Sequence, residues 1–256
     1  MSHAFVPLLA FAVIFAGALV GFVLQRKLPA HHLSSESKDT IKLAAGLVAT
    51  LSAMVLGLLI SSSATTFRNA SDGITSSAAE AILLDRLFTA YGPETNQLRR
   101  DLRTSVRNAI AVIERGHTDA DGVNDPAERG DLIVGLVDRT RLLQPQTDLQ
   151  KSLLPRGVEL AQDLLEAHWR LLEGNADQLP VALLTVLLLW LVILTMTYGL
   201  FARCNATLLV ILLVCSMSLA GAIFLIEEMS HPLEGLVRVS TVPLENALVR
   251  MGDVAP

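Results

Sequence analysis

The chain has 256 residues, of which 52% are hydrophobic and 18% charged, and its formal net charge is −5. Soluble domains carry about 25% charged residues, and here the apolar residues gather in a few long runs, so an ordinary soluble globular protein is excluded. The negative balance gives nucleic acid no electrostatic hold.

The first apolar run, Phe5 to Leu24, predicts a membrane-spanning helix over residues 4–25. No lysine or arginine precedes it, and Arg26 and Lys27 follow it. That polarity is the reverse of a secretory signal, so the run reads as a retained span. Residues 26–40 read as a short basic loop, to which Lys38 adds. The second run, Ile41 to Ile60, predicts a span over residues 41–62, with Lys42 at an edge where its long side chain can reach water.

Residues 63–178 read as a water-facing helical domain. Ile74, Ala78, Ala81, Leu84, Leu87 and Phe88 fall on one helical stripe. Tyr91-Gly92-Pro93-Glu94 then ends one helix and opens the next, because glycine breaks a helix and proline suits a first turn. The next helix has Leu98, Leu102, Val106, Ala109, Ile110 and Ile113 as its apolar face. A polar loop, Gly116 to Pro126, precedes two further helices, Glu128 to Leu143 and Gln146 to Glu173. Strand-like alternation is lacking, so the segment predicts a small antiparallel bundle continuous with the spans. The acidic loop Asp119 to Asp125 lacks the glycine and glutamate spacing of an EF-hand and reads as solvated.

A third span is predicted over residues 179–201 and a fourth over 206–226, joined by Ala202-Arg203-Cys204-Asn205. Residues 227–256 form a C-terminal tail. Cys204 and Cys215 lie on one predicted helix, about 16 Å apart at 1.5 Å per residue, too far for a disulfide. The expected fold is all-α: a four-span helical membrane protein with an inserted helical-bundle domain facing water. Four spans put the short loops on one side and the helical domain with both termini on the other. Lys and Arg near span ends favour the cytoplasm. Arg26, Lys27, Lys38 and Lys42 therefore assign the short loops to the cytoplasm and the helical domain to the outside.

Chemistry-bearing residues are sparse. There is no His-Glu-x-x-His, Gly-x-Ser-x-Gly or phosphate loop, and no catalytic, cofactor-binding or metal site is predicted. The second span carries a seam of small residues, Gly46, Thr50, Ala53 and Gly57, continued by Ser61 and Thr65. The fourth has a weaker seam of Thr207, Cys215, Ser218 and Ala222. Close helix packing is the commoner use of such a seam. On that reading Gly57 is a close contact and Gly17, off the seam, is not. The sharper reading is a pore lined by small side chains and hydroxyls, and both hold if the helix packs on neighbouring subunits. Glu227 and Glu228 stand where a fourth span ends, as a solvated terminus or as a charged pore mouth, with His231 nearby.

Several stretches resemble one family. They are Gly46 to Leu59, Leu83-Leu84-Asp85-Arg86-Leu87, Tyr91-Gly92-Pro93-Glu94, Tyr198-Gly199-Leu200-Phe201, Asn205-Ala206-Thr207, Ala220 to Glu228 and Pro232 to Ser240. Together, and in order along nearly the whole chain, they resemble the bacterial bestrophin-like membrane proteins, a domain family of unknown function. The chain departs from the pattern at Ser230, where an acidic residue is expected close by, at His231, in place of arginine, and at Arg203-Cys204, in place of Pro-Arg. The resemblance implies a bacterial inner-membrane protein akin to bestrophins, pentameric anion channels with four spans per subunit. Bestrophins line their pore neck with aromatic and aliphatic residues, and the second span has no matching aromatic triplet. They also hold their helical bulk in the cytoplasm, opposite to the side that the flanking charges assign.

The resulting expectation is a homo-oligomer in the lipid bilayer that passes inorganic ions, with the second span along the axis. The alternative is a non-conducting sensor or scaffold whose helical domain binds a partner. A broken-helix transporter lacks the paired interruptions that such folds need.

Overall fold

The structure is a computed structural model that describes residues 5–27, 35–115, 126–173, 181–202, 205–233 and 237–252. Among these residues the chain is all-α, with helices α1 to α8 and a 3₁₀ turn. It divides into two compact units, residues 1–66 with 178–231 and residues 67–177 with 232–256.

The first unit contains α1 (Phe5–Lys27), the opening part of α2 (Ser35–Tyr91), α6 (Val181–Phe201) and α7 (Ala206–Ser230). These four helices are long and apolar enough to cross a membrane. Hydrocarbon leaves backbone polar groups no water partner, so each span must satisfy them internally as a helix. Pro7 lies in the first turn of α1, where a missing N–H costs nothing. Asn205 caps α7, its side chain accepting from the Leu208 amide at 2.7 Å. Ala10, Ile14, Leu59, Leu187, Leu191, Ile223 and Ile226 form the core.

Within this unit α1 and α6 approach closely through glycines. A Cβ on Gly21 would collide with the Met196 carbonyl, and one on Gly199 with the Ala18 carbonyl. Thr195 exploits the same approach, donating its hydroxyl to the Ile14 carbonyl at 3.0 Å. A small residue lets two backbones meet in a setting where apolar burial against lipid gives no drive.

The predicted basic loop 26–40 is helical at both ends. Arg26 and Lys27 close α1, while α2 begins at Ser35 and carries Lys38; residues 28–34 lie outside the described set. Helix α2 then runs 57 residues without a break, about 85 Å against the 30 Å that hydrocarbon requires. It stops at Gly92, whose φ of 137° lies where side chains are disfavoured, and where a Cβ would meet Glu94 Oε2 at 2.6 Å. Pro93–Thr95 form the 3₁₀ turn, and Thr95 bonds back to the Phe88 carbonyl at 2.6 Å.

The second unit contains the rest of α2, α3 (Asn96–Arg115), α4 (Pro126–Arg141), α5 (Asp148–Glu173) and α8 (Val242–Met251). The stripe Ile74, Ala78, Ala81, Leu84 and Phe88 is buried against Leu98, Leu102, Val106 and Ile113 of α3, with Leu136 and Leu160. Gln150 ties α5 to the α2 terminus, donating to the Tyr91 carbonyl at 2.9 Å and to Glu94 Oε1 at 2.8 Å. The acidic loop Asp119 to Asp125 lies outside the described residues.

Helix α8 lies in the stretch that sequence patterning left as an unassigned tail. Leu244, Ala247 and Met251 bury its inner face in the core. Arg103 donates to the Gly252 carbonyl, and Arg238 to the Glu114 carbonyl at 2.6 Å. Its signal was present: apolar residues at 244, 247, 248 and 251 follow helical spacing, behind a proline in the first turn.

Candidate functional site

The small-residue seam of α2 occupies one face. Gly46, Thr50, Ala53, Gly57, Ser61 and Thr65 are all exposed in the single chain. A Cβ added to Gly46 or Gly57 meets nothing within 4 Å. The opposite face carries Ser52, Leu59 and Ser63, all buried in the first unit. At 100° per residue the two stripes stand about 150° apart. Within one subunit, then, the seam is no packing contact; it points away from the subunit's own core. The close approach that glycines permit lies elsewhere, between α1 and α6. Its sequence signal, Gly17 and Gly21 four residues apart in an apolar helix, is the small-xxx-small pattern.

The seam hydroxyls have a definite polarity. Thr50 donates to the Gly46 carbonyl at 3.0 Å and Thr65 to the Ser61 carbonyl at 2.9 Å. With its hydrogen committed to the backbone, each hydroxyl turns only acceptor lone pairs outward. Such a surface suits cations and water better than anions. On α7 the weaker seam is similar in part: Thr207, Cys215 and Ser218 are exposed, Ala222 half-buried, and Ser218 bonds back to the Val214 carbonyl at 2.9 Å.

The two carboxylates at the end of α7 separate. The helix continues past residue 226 to Ser230, so both lie within its last turns. Glu228 is 1% exposed. The Glu227 side chain is 21% exposed and stands 4.0 Å from His231 Nδ1. Of the pair, only Glu227 reaches solvent. Ser230 donates to the Ile226 carbonyl at 2.6 Å and its Oγ lies 3.0 Å from Ser63 Oγ, which sets the end of α7 beside the Ser61 to Thr65 stretch of α2. The carboxylates thus lie level with the Ser61 to Thr65 end of the seam, beside the opposite, buried face of α2. Among the described residues no group of His, Cys, Asp and Glu is placed to hold a metal ion.

Comparison with known proteins gives a consistent fold. A model of the Bestrophin-like domain matches residues 12–244. Two solved structures of point mutants of a bacterial bestrophin homologue from Klebsiella pneumoniae superpose on the chain. One has a TM-score of 0.67 at 12% identity, covering 98% of this chain and 97% of that one. The other has a TM-score of 0.66 at 10% identity, covering 96% and 97%. A structure described only as a membrane protein, also a point mutant, gives 0.64 at 12% identity over 95% and 96%. At such identities the likeness is one of fold alone. No curated protein matches.

Proposed function

The chain belongs to the Bestrophin-like family, and from that membership we propose that it is a homo-oligomeric ion channel of the bacterial inner membrane, with α2 lining the axis. The observation that carries this reading is the exposed seam on the face of α2 turned away from the subunit core. Hydroxyl acceptors turned to lipid would lose hydration without gain. Around a symmetry axis, each seam residue repeats as a ring, and rings of oxygens can replace part of an ion's water shell. The outward lone pairs of Thr50 and Thr65 and the half-buried carboxylate of Glu227 favour cations. In this respect the chain differs from the anion channels that the family name brings to mind. The basic flanks of α1 and α2 support short loops in the cytoplasm and a helical unit outside.

The test is reconstitution of the purified, assembled protein into a planar bilayer with a potassium chloride gradient. Discrete current steps with a cation-favouring reversal potential are the expected result. Persistent silence from assembled protein overturns the channel and leaves the non-conducting scaffold.

A further inference from the structure

Between Lys42 and Glu80, helix α2 carries two charged residues only, Arg68 and Asp72. Both are exposed. At 100° per residue Ser61, Thr65, Arg68 and Asp72 fall within an arc of about 60°, so both charges lie on the face of the small-residue seam. The opposite face of this stretch is buried through Ser63, Ile74 and Ala78. Beyond Thr65 the seam is thus continued by one positive and one negative group, a helical turn apart.

The two charges do not meet within the chain. Opposite charges three or four apart on a helix are neighbours, and Lys42–Asp39, Lys151–Asp148, Arg156–Glu159 and Arg170–Glu166 all pair in this way. Arg68 and Asp72 have the same spacing, yet among the described residues neither side chain makes an ion pair or a hydrogen bond. On a lone chain in water this is of little consequence, because an exposed pair contributes little to stability. Around a symmetry axis the consequence is large, because each charge repeats as a ring. A ring of arginines alone sets like charges against one another and opposes cations, and a ring of aspartates alone repels itself equally.

We infer that Arg68 of one copy of this chain pairs with Asp72 of the neighbouring copy, so that this part of α2 is a contact between subunits. The two positions are offset by about 6 Å along the helix. An extended arginine stem spans that offset, and its planar guanidinium matches a carboxylate with two bonds. Cyclic symmetry makes the surface complementary to itself: every copy offers Arg68 to one neighbour and Asp72 to the other. The two rings cancel, which removes both the repulsion between copies and the barrier to cations. This inference rests on the reading of α2 as the helix that lines the axis.

The experiment uses two full-length variants with different affinity tags, Arg68→Asp and Asp72→Arg, purified in detergent alone and after co-expression. Size exclusion reads the oligomer, and tandem affinity capture reads mixing. Each variant alone brings only like charges to the contact, so its oligomer fraction should fall several-fold below the parent's. Circular dichroism should show parent-like helix in both, since both positions are exposed. On co-expression a copy acidic at both positions meets a copy basic at both, and mixed oligomers should return to the parent's fraction. Parent-like assembly of either variant alone overturns the contact. Rescue by both exchanges in one chain, without rescue by mixing, puts the pair inside a chain and overturns it too. So does impaired assembly that neither route rescues. If a reversal prevents folding, Arg68→Gln and Asp72→Asn decide: each should weaken the oligomer and the double variant should be no weaker than either, whereas additive losses overturn the pair. Mixing-dependent assembly of a protein that never conducts overturns the channel and leaves this contact standing. Conduction by the parent without mixing-dependent assembly does the reverse, and a monomeric parent overturns both.

Discussion

The hydroxyl of Thr195 on α6 stands 2.9 Å from the point where a Cβ on Gly17 of α1 would lie. That hydroxyl also donates to the Ile14 carbonyl at 3.0 Å. The interhelical hydrogen bond and the missing side chain are therefore one feature: the bond forms because α1 has nothing at position 17 to hold α6 away.

Gly17→Leu should accordingly destabilise the folded protein by about 1–3 kcal/mol or more, since a bulky side chain is forced into a filled interface. Gly57→Leu meets nothing within 4 Å and should leave the subunit fold intact. The seam reading expects Gly57→Leu to cost the oligomer or the folded protein, with Gly17→Leu as the tolerated control. Size exclusion in detergent with thermal melting reads both variants; a parent-like Gly17→Leu would show that α1 and α6 do not approach closely.

In the second unit Arg99 grips Asp85 with two bonds, at 2.8 and 3.1 Å, and the side chains are 14% and 3% exposed. Removing one partner leaves a desolvated charge. Asp85→Ala should destabilise the protein by about 3 kcal/mol. The same guanidinium reaches the Met251 carbonyl at 3.5 Å, so limited proteolysis should also release α8 sooner. A melting temperature and cleavage rate equal to the parent's would remove the ion pair from the account.

His168 makes stability depend on pH. Its folded pKa is lowered from 6.5 by burial. Below about 6.5 the unfolded chain takes up a proton that the folded chain refuses, so stability falls with pH until the lowered folded value is passed. Melting temperatures between pH 7.5 and 5 should drop more steeply for the parent than for His168→Gln. Parallel curves would mean that His168 titrates normally.

Membrane orientation is open to direct chemistry. Lys151 on α5 has a 60% exposed side chain. In a variant with Cys204 and Cys215 replaced by serine, Lys151→Cys should react with a membrane-impermeant thiol reagent on intact spheroplasts. Labelling only after lysis would put the helical unit in the cytoplasm, the side that likeness to bestrophins implies.

For permeation, Glu227 is the residue to reverse, because Glu228 is buried and a lysine there would confound charge with folding. Glu227→Lys should shift the reversal potential toward anions in a salt gradient. Ser61→Trp, on the exposed seam, should reduce current several-fold with assembled protein unchanged. Conduction without either effect would move the path away from α2.

What the amino-acid order determined by itself was the set of helices, α8 apart, and which of them are apolar enough to span a membrane. Runs of about 20 apolar residues have one stable form in hydrocarbon. Stripes such as Ile74 to Phe88 have one stable burial in water. The turn at Gly92-Pro93 was equally plain, because its constraints are local to those residues. What only the tertiary structure decided was which small residues touch. Gly17 and Gly57 are chemically identical and both lie in apolar helices, yet one is pressed against Thr195 and the other faces open space. Glu227 and Glu228 are likewise adjacent, with one half-buried and one buried. Periodicity fixes which residues share a helix face; what that face meets depends on how the helix is rotated against its neighbours, and that rotation is set by packing among residues far apart in the chain.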